Sequence, residues 1–120
     1  MTPAPRLSAK QRQGQLGEDQ ALAHLMLQGL TLVQRNFLCK GGEIYLIMRD
    51  RGGLVFVEVR QRADARYGGA AASITPAKQR RLVLAAQVYL LRLKTLPPCR
   101  FDVIAIDGTD LSWLQNVIGM

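Results

Sequence analysis

The 120-residue chain contains two cysteines, one histidine and no long apolar segment. Cys39 and Cys99 lie far apart and form no CxxC pair, which excludes a disulfide scaffold and a structural zinc site, because both need more ligands at closer spacing. The longest apolar stretch, residues 82–91, is interrupted by Gln87 and is about half the length that a membrane-spanning helix needs. The first residues lack the apolar region of a secretory signal. We therefore expect a cytoplasmic protein with free thiols and no membrane partner.

The charge of the chain is strongly basic. Sixteen Lys and Arg residues outnumber nine Asp and Glu residues, and the formal net charge is +7. Residues 60–81 carry six cations and one carboxylate, a net charge of +5, whereas residues 101–120 carry three carboxylates and no cation. This balance favours a polyanionic partner, nucleic acid before an anionic membrane surface. With 48% hydrophobic and 21% charged residues, the composition is otherwise that of one globular domain.

The periodicity of the sequence predicts a mixed α/β domain. Residues 1–13 are expected to form a flexible basic arm, and residues 14–120 a single domain. We expect one helix over about residues 14–29 and another that begins at Thr75-Pro76. The predicted strands cover residues 30–37, 44–49, 54–60, 100–106 and 111–118, with a long loop over 61–74. The order α-β-β-β-α-β-β indicates a mixed sheet with helices packed on its faces.

Three polar residues interrupt the apolar patterns of these elements. Glu18 begins the apolar stripe of the first helix, Gln79 begins that of the second, and Glu58 lies within the apolar run 54–59. A carboxylate at a core position costs several kcal/mol unless a cation or metal pairs with it, so these positions are candidates for chemistry. Structural explanations stay open: Glu58 with Arg60 as an exposed ion pair, Glu18 at a helix N-terminus, and Gln79 in solvent.

Strand alternation brings further polar groups towards Glu58. Side chains two residues apart share a face of a strand. Two sets of residues are related in this way: Glu58 with Arg60, and, on the preceding strand, Glu43 with Tyr45 and Ile47. Pairing of these strands as a hairpin brings both sets to one end of the sheet, within reach of Glu18. We expect a cluster of carboxylates beside a guanidinium group at this end.

Several short motifs occur in a fixed order along residues 14–118. They are Gly17-Glu18, Arg35-Asn36, Gly42-Glu43-Ile44-Tyr45-Leu46-Ile47, Val55-Phe56-Val57-Glu58-Val59-Arg60, Lys78-Gln79-Arg80-Arg81-Leu82, Tyr89-Leu90 and Arg100-Phe101-Asp102-Val103. Together they resemble the YraN family of small bacterial proteins, which is similar to Holliday-junction resolvases. The resemblance implies a restriction-endonuclease-like sheet of the PD-(D/E)xK type, flanked by helices, and metal-dependent cleavage of DNA.

The resemblance also implies a four-part site, of which this sequence keeps two parts. Glu18 matches the helix glutamate and Glu58 the strand acid, so both would hold Mg²⁺ or Mn²⁺, with Glu43 as a third candidate ligand. Tyr45 stands where the family pattern has a strand aspartate, and Arg60 stands where it has a lysine. A neutral phenol is a poor ligand for a hard cation. An arginine clamps phosphate but is a poor base.

The implied roles leave different classes of function open. In an endonuclease, the catalytic residues would be Glu18, Glu58, Arg60 and Gln79, with Arg60 as a phosphate clamp and Gln79 as an orienting residue. With its altered site, the chain would alternatively be a catalytically inactive nucleic-acid-binding or scaffold protein. A basic protein-interaction domain without a nucleic-acid partner is a third interpretation.

Cations around the site are the candidate contacts to nucleic acid: Arg62, Arg66, Lys78, Arg80 and Arg81. We expect branched or duplex DNA as the partner, bound through its phosphates with little base readout. A second copy of the chain, in a homodimer, is a further candidate partner. Tyr67, in the loop with Arg66, offers a ring for base stacking. With about five phosphate contacts, raising the salt from about 50 to about 200 mM is expected to weaken duplex binding several hundredfold.

Overall fold

The computed structural model describes residues 8–119, without the side chains of Lys10 and Tyr67, and contains one mixed sheet. The strands, in their order across the sheet, are β1 (Thr31–Cys39), β2 (Gly42–Asp50), β3 (Gly53–Arg62), β4 (Cys99–Asp107) and β5 (Asp110–Leu114). β3 pairs with β4 in parallel, and the other neighbouring strands pair antiparallel. The predicted order of elements and the mixed α/β class are confirmed. β5 ends before its predicted limit at residue 118, since Asn116 adopts a left-handed backbone with φ 53°.

Helices cover both faces of this sheet. α1 (Ala9–Leu27) packs on one face, and α3 (Pro76–Leu90) packs on the other, preceded by a 3₁₀ turn (Arg66–Gly68) and the short α2 (Gly69–Ala72). The connection through α2 and α3 is the crossover that the parallel β3–β4 pair requires, because a tight turn cannot join parallel strands. Within residues 8–119, none of the helices combines the length and apolar character that crossing a bilayer requires.

The first helix begins earlier than the sequence pattern predicted. The Ser8 hydroxyl accepts a hydrogen bond from the Gln11 backbone N–H (3.1 Å), and the Gln11 side chain accepts one from the Ser8 N–H (2.8 Å). This reciprocal capping box starts the helix at Ala9. Residues 9–13, which the sequence pattern places in the arm, therefore belong to this helix. Residues 1–7 of that arm lie outside the described residues.

The stretch predicted as a loop over residues 61–74 also contains helical structure. The first turn of α2 is capped by Asp107, whose Oδ1 accepts a hydrogen bond from the Ala70 N–H at 2.7 Å. Because Asp107 is distant in the sequence, no local pattern announces this short helix. The start of α3 is as predicted, since the Thr75 hydroxyl accepts a hydrogen bond from the Lys78 N–H at 3.2 Å. This cap fixes the position of Lys78 beside the end of β3.

Candidate functional site

A cleft of about 960 Å³ opens at the C-terminal end of β3, between the N-terminal half of α1 and the start of α3. Its lining residues are Gln11, Gln13, Gly14, Gln15, Glu18, Tyr45, Val59, Arg60, Gln61, Arg62, Ala63, Lys78 and Gly108. The cleft therefore brings together Glu18, Tyr45 and Arg60, which the sequence placed on three different elements.

Glu58 and Arg60 form a largely buried ion pair at this cleft. Arg60 Nη1 lies 3.8 Å from Glu58 Oε1, and the two side chains are 14% and 9% exposed, respectively. Arg60 Nε donates a hydrogen bond to Ser73 Oγ (2.9 Å), and the Ser73 hydroxyl donates to the Ala70 carbonyl (2.6 Å). These contacts hold the guanidinium in one orientation. The prediction that Glu58 and Arg60 share a strand face is confirmed, and the interpretation as an exposed surface pair is wrong.

The burial of Glu58 changes its protonation. Burial raises the pKa of Glu58 from 4.5 to about 7; Arg60 and Lys78 oppose this rise, and Glu43 adds to it. The carboxyl group therefore exchanges its proton near neutral pH. The charge of the cleft changes by one unit when it does so.

Tyr45 lies in the cleft at an irregular point of β2. Tyr45 and Leu46 both pack towards α1, whereas Ile44 and Ile47 pack towards α3, so the alternation of the strand is interrupted between neighbours. On β1, Asn36 lies between Arg35 and Phe37, which pair with Leu46 and Ile44, and its backbone is left-handed (φ 53°). The expectation that Tyr45 and Ile47 share a face is wrong for this reason, although Tyr45 does reach the cleft.

Carboxyl groups surround the ring of Tyr45. Partial burial raises the pKa of Tyr45, the carboxylates of Glu58, Glu43 and Glu18 raise it further, and Arg60 opposes them. The phenol is consequently neutral at physiological pH. The cleft presents a half-buried, uncharged aromatic ring at the position where the resemblance implies an aspartate.

Glu18 is held by β1 at the edge of the cleft. Arg35 Nε donates to Glu18 Oε1 at 3.0 Å, Asn36 Nδ2 donates to the same oxygen at 3.2 Å, and Arg35 Nη2 lies 2.9 Å from that oxygen while it donates to Asp19 Oδ1 at 2.7 Å. Glu18 lies in the middle of α1, so its interpretation as a residue at a helix N-terminus is wrong. Gly17 permits the close approach of α1 to β3, because a Cβ there would lie 2.5 Å from Gln61 Oε1.

The carboxylates of the cleft do not fit a divalent metal ion. Within residues 8–119, no group of three or more His, Cys, Asp or Glu side chains is placed to hold one ion. Glu18 is already engaged by β1, and Glu43, the third candidate ligand, is close to Tyr45 and Glu58 without lining the cleft. A hard cation such as Mg²⁺ or Mn²⁺ binds several oxygen ligands, and this donor set does not supply them.

Two of the five candidate DNA-contacting cations line the cleft together with Arg60. Arg62 follows Arg60 on β3, and Lys78 stands at the start of α3. Partial burial lowers the pKa of the Lys78 amine, and the positive charge of Arg60 lowers it further. Glu58 opposes this effect, and Arg62 adds to it. The three cations therefore lie close enough to repel one another. We call Arg60, Arg62 and Lys78 the basic rim.

Arg66 lies beside the cleft, outside its lining. It is exposed, pairs with Asp64 at 3.3 Å, and borders a separate hollow that Arg62 also lines. The ring of Tyr67, which was expected to stack on a base, lies outside the described residues. Arg66 therefore lies near Arg62 of the basic rim but outside the cleft lining.

Gln79, Arg80 and Arg81 also lie away from the cleft lining. Gln79 and Arg80 line another hollow along α3, where Gln79 Nε2 donates to the Ile74 carbonyl at 3.4 Å. Arg81 is exposed on the same helix. Gln79 therefore does not line the cleft with Arg60, and its side-chain amide is hydrogen-bonded to the backbone instead.

Sequence reasoning missed two contributions to the cleft. One wall consists of Gln11, Gln13 and Gln15, of which Gln11 and Gln13 fall within the predicted arm and Gln15 within the predicted helix. The spacing of Ser8 and Gln11 is a capping-box signature that identifies this helical turn. Ser73, which orients Arg60, gave no signal because its partner is distant in the sequence.

Comparison with known proteins indicates a family. A family model described as "Uncharacterised protein family UPF0102" matches residues 17–106. The chain is 61% identical over 111 residues to a UPF0102 protein of Herminiimonas arsenicoxydans, covering 92% of this chain and 90% of that protein. It is 62% identical over 109 residues to a UPF0102 protein of Cupriavidus taiwanensis, covering 90% and 83%, respectively. The matched region contains the whole basic rim.

Proposed function

The chain belongs to the uncharacterised protein family UPF0102, the YraN family that its motifs resemble, and we propose that it binds the phosphate backbone of nucleic acid at the basic rim. The partner is branched or duplex DNA, in keeping with the nuclease-like kind of fold that the resemblance implies. The observation that carries this proposal is the convergence of Arg60, Arg62 and Lys78 on one cleft.

The basic rim combines a fixed cation with two adaptable ones. Arg60 is oriented by Ser73 before any ligand arrives, so it loses little conformational freedom when it binds a phosphate oxygen. Arg62 and Lys78 are exposed and can follow neighbouring phosphates. The net charge of +7 adds long-range attraction for a polyanion. These features support binding to the backbone rather than to particular bases.

Metal-dependent endonuclease cleavage is the second candidate function, and the Glu58–Arg60 pair is the observation that favours it. The pair keeps the strand acid and a cation two residues later. Against it stand the donor set, which does not fit a hard cation, and the arginine at position 60, a residue type that is a poor base. We therefore propose binding without cleavage.

Anisotropy measurements with a labelled four-way junction, a duplex and a single strand at about 50 mM salt test this function. We expect binding to the branched and duplex forms. If the protein binds none of the three DNAs, the proposal is contradicted, and the interpretation as a basic protein-interaction domain remains.

The same DNAs incubated with Mg²⁺ or Mn²⁺ test cleavage. We expect none from the natural chain. Cleavage that disappears in Glu58→Ala would favour the endonuclease instead. The double variant Tyr45→Asp/Arg60→Lys is expected to raise cleavage, and no gain would count against the assignment of these positions.

A further inference from the structure

The interior of the cleft differs chemically from its basic rim. The ring of Tyr45 and the side chain of Val59 form an apolar surface there, and glutamines of α1 line the opposite wall. We propose that this interior takes one unpaired nucleobase, stacked on Tyr45, while the adjoining phosphates lie on the basic rim. The inference rests on the proposed function and names the form of nucleic acid that the site selects: a strand with an unpaired nucleotide.

The dimensions of the cleft suit a single nucleotide. A volume of about 960 Å³ lies within the range of small-molecule sites, about 300–1,000 Å³. An uninterrupted double helix can lie only across the rim of such a cleft, whereas an unpaired base can enter it. An aromatic platform beside a cationic groove is the arrangement by which proteins bind unpaired strands.

The distribution of charge around the cleft favours a base in its interior and the adjoining phosphate at its rim. Glu18 lines the cleft with Tyr45, and Glu43 and Glu58 lie near the Tyr45 ring outside the lining, while the cations stand at the rim. Carboxylates repel a phosphate group but accept hydrogen bonds from the amino groups of bases. Gln13 and Gln15 add side-chain amides that both donate and accept. The interior is therefore complementary to the base and not to the phosphate.

The position of Tyr45 makes its ring a firm platform. The ring packs against the core beneath α1 and remains half-buried, so it is fixed by contacts on one side and open to the cleft on the other. The phenol is neutral, which keeps a negative charge away from the adjoining phosphates. Tyr45 thus provides a stacking surface at the position where the resemblance implies a metal ligand.

Two duplexes of equal length test the inference, one fully paired and one with a single unpaired 2-aminopurine. We expect the natural chain and Tyr45→Phe to bind the bulged duplex about tenfold more tightly, as base–aromatic stacking supports, and to quench its fluorescence. Tyr45→Leu keeps the apolar volume and removes the ring. It is expected to bind the paired duplex normally, which verifies its fold, and to lose both the preference and the quenching.

The outcomes separate this inference from the proposed function. No binding of either duplex would contradict the proposed function itself. Equal binding of both duplexes without quenching, or a preference that survives in Tyr45→Leu, would overturn the stacking site and leave backbone binding intact. Displacement of the bulged duplex by an equal concentration of free adenosine monophosphate would identify a nucleotide site instead, and would overturn the inference as well.

Discussion

Removing two charges from the basic rim is expected to change the salt dependence of DNA binding. In the variant Arg62→Gln/Lys78→Gln, Arg60 is the remaining member of the rim. Both substituted side chains are exposed, so the fold is expected to persist and the effect to fall on the ligand. The measurement is the dissociation constant for a labelled duplex at several salt concentrations, with circular dichroism to verify the fold.

The magnitude follows from the number of phosphates that the rim can neutralise. Each contact contributes about −0.9 to the slope of log binding constant against log salt. Three contacts give a slope of about −2.7, so binding weakens about fortyfold between about 50 and about 200 mM salt. One contact gives about −0.9 and a loss of about three- to fourfold. The several-hundredfold loss expected from the sequence is too large for the cleft alone, because Arg66, Arg80 and Arg81 lie outside its lining.

The matched control is Arg80→Gln/Arg81→Gln. This variant removes the same charge from α3, outside the cleft lining, so its slope is expected to stay near that of the natural chain. An equal reduction in both variants would mean that DNA responds to net charge and not to the cleft. An unchanged slope in Arg62→Gln/Lys78→Gln would refute the placement of phosphates on the basic rim.

Three further measurements test protonation and packing around the site. Because the pKa of Glu58 is raised to about 7 in the folded protein, its stabilising effect is complete below about pH 4.5 and is lost as the pH rises through 7. The free energy of unfolding is therefore expected to fall by about 3 kcal/mol more in the natural chain than in Glu58→Gln, and parallel urea-unfolding curves across pH would contradict this. Gly42→Ala is expected to lower the free energy of unfolding by about 1–3 kcal/mol, because the added Cβ would meet the backbone of α3. Gly14→Ala has open space around it and is expected to raise the free energy of unfolding by about 0.5–1 kcal/mol. Thermal unfolding of the two variants in the reverse order would refute both predictions. Asp102→Ala is expected to lower the free energy of unfolding by about 3–5 kcal/mol, because it removes a fully buried carboxylate from its partners. It is also expected to shift the fluorescence of Trp113, whose Nε1 donates to Asp102 at 2.9 Å. An unshifted spectrum would argue against that contact.

The elements that local patterns determine could be predicted from the sequence. The hairpin of β2 and β3 follows from two apolar runs around a glycine turn, in which Arg51 and Gly52 adopt positive φ values of 57° and 101°. Glu58 was identified because a carboxylate within an apolar run is conspicuous, and it is buried as that pattern implies. The start of α3 followed from Thr75, whose capping role depends on a residue three positions away.

Features that depend on distant partners could not be predicted. α2 is capped by Asp107, and Arg60 is oriented by Ser73, contacts that arise only when the chain has folded. The alternation of β2 is interrupted at Tyr45, near the left-handed backbone of Asn36 on the neighbouring strand, so period-two reasoning on β2 alone wrongly placed Tyr45 and Ile47 on one face. Two-residue alternation is reliable only where the strand is regular.

Tyr45 and Arg60, which differ from the site that the resemblance implies, change the charge of the cleft in the same direction. A tyrosine in place of an aspartate removes one negative charge, and an arginine in place of a lysine keeps a positive charge that cannot be lost near neutral pH. A site that relies on a metal ion to attract phosphate needs carboxylates to hold that ion, whereas a site that attracts phosphate directly is weakened by each of them. Two carboxylates remain at the cleft: Glu18 is engaged by Arg35, and the raised pKa of Glu58 together with the neighbouring Arg60 reduces the charge that Glu58 adds. These charges therefore support the proposal that the cleft binds a nucleic-acid strand without hydrolysing it.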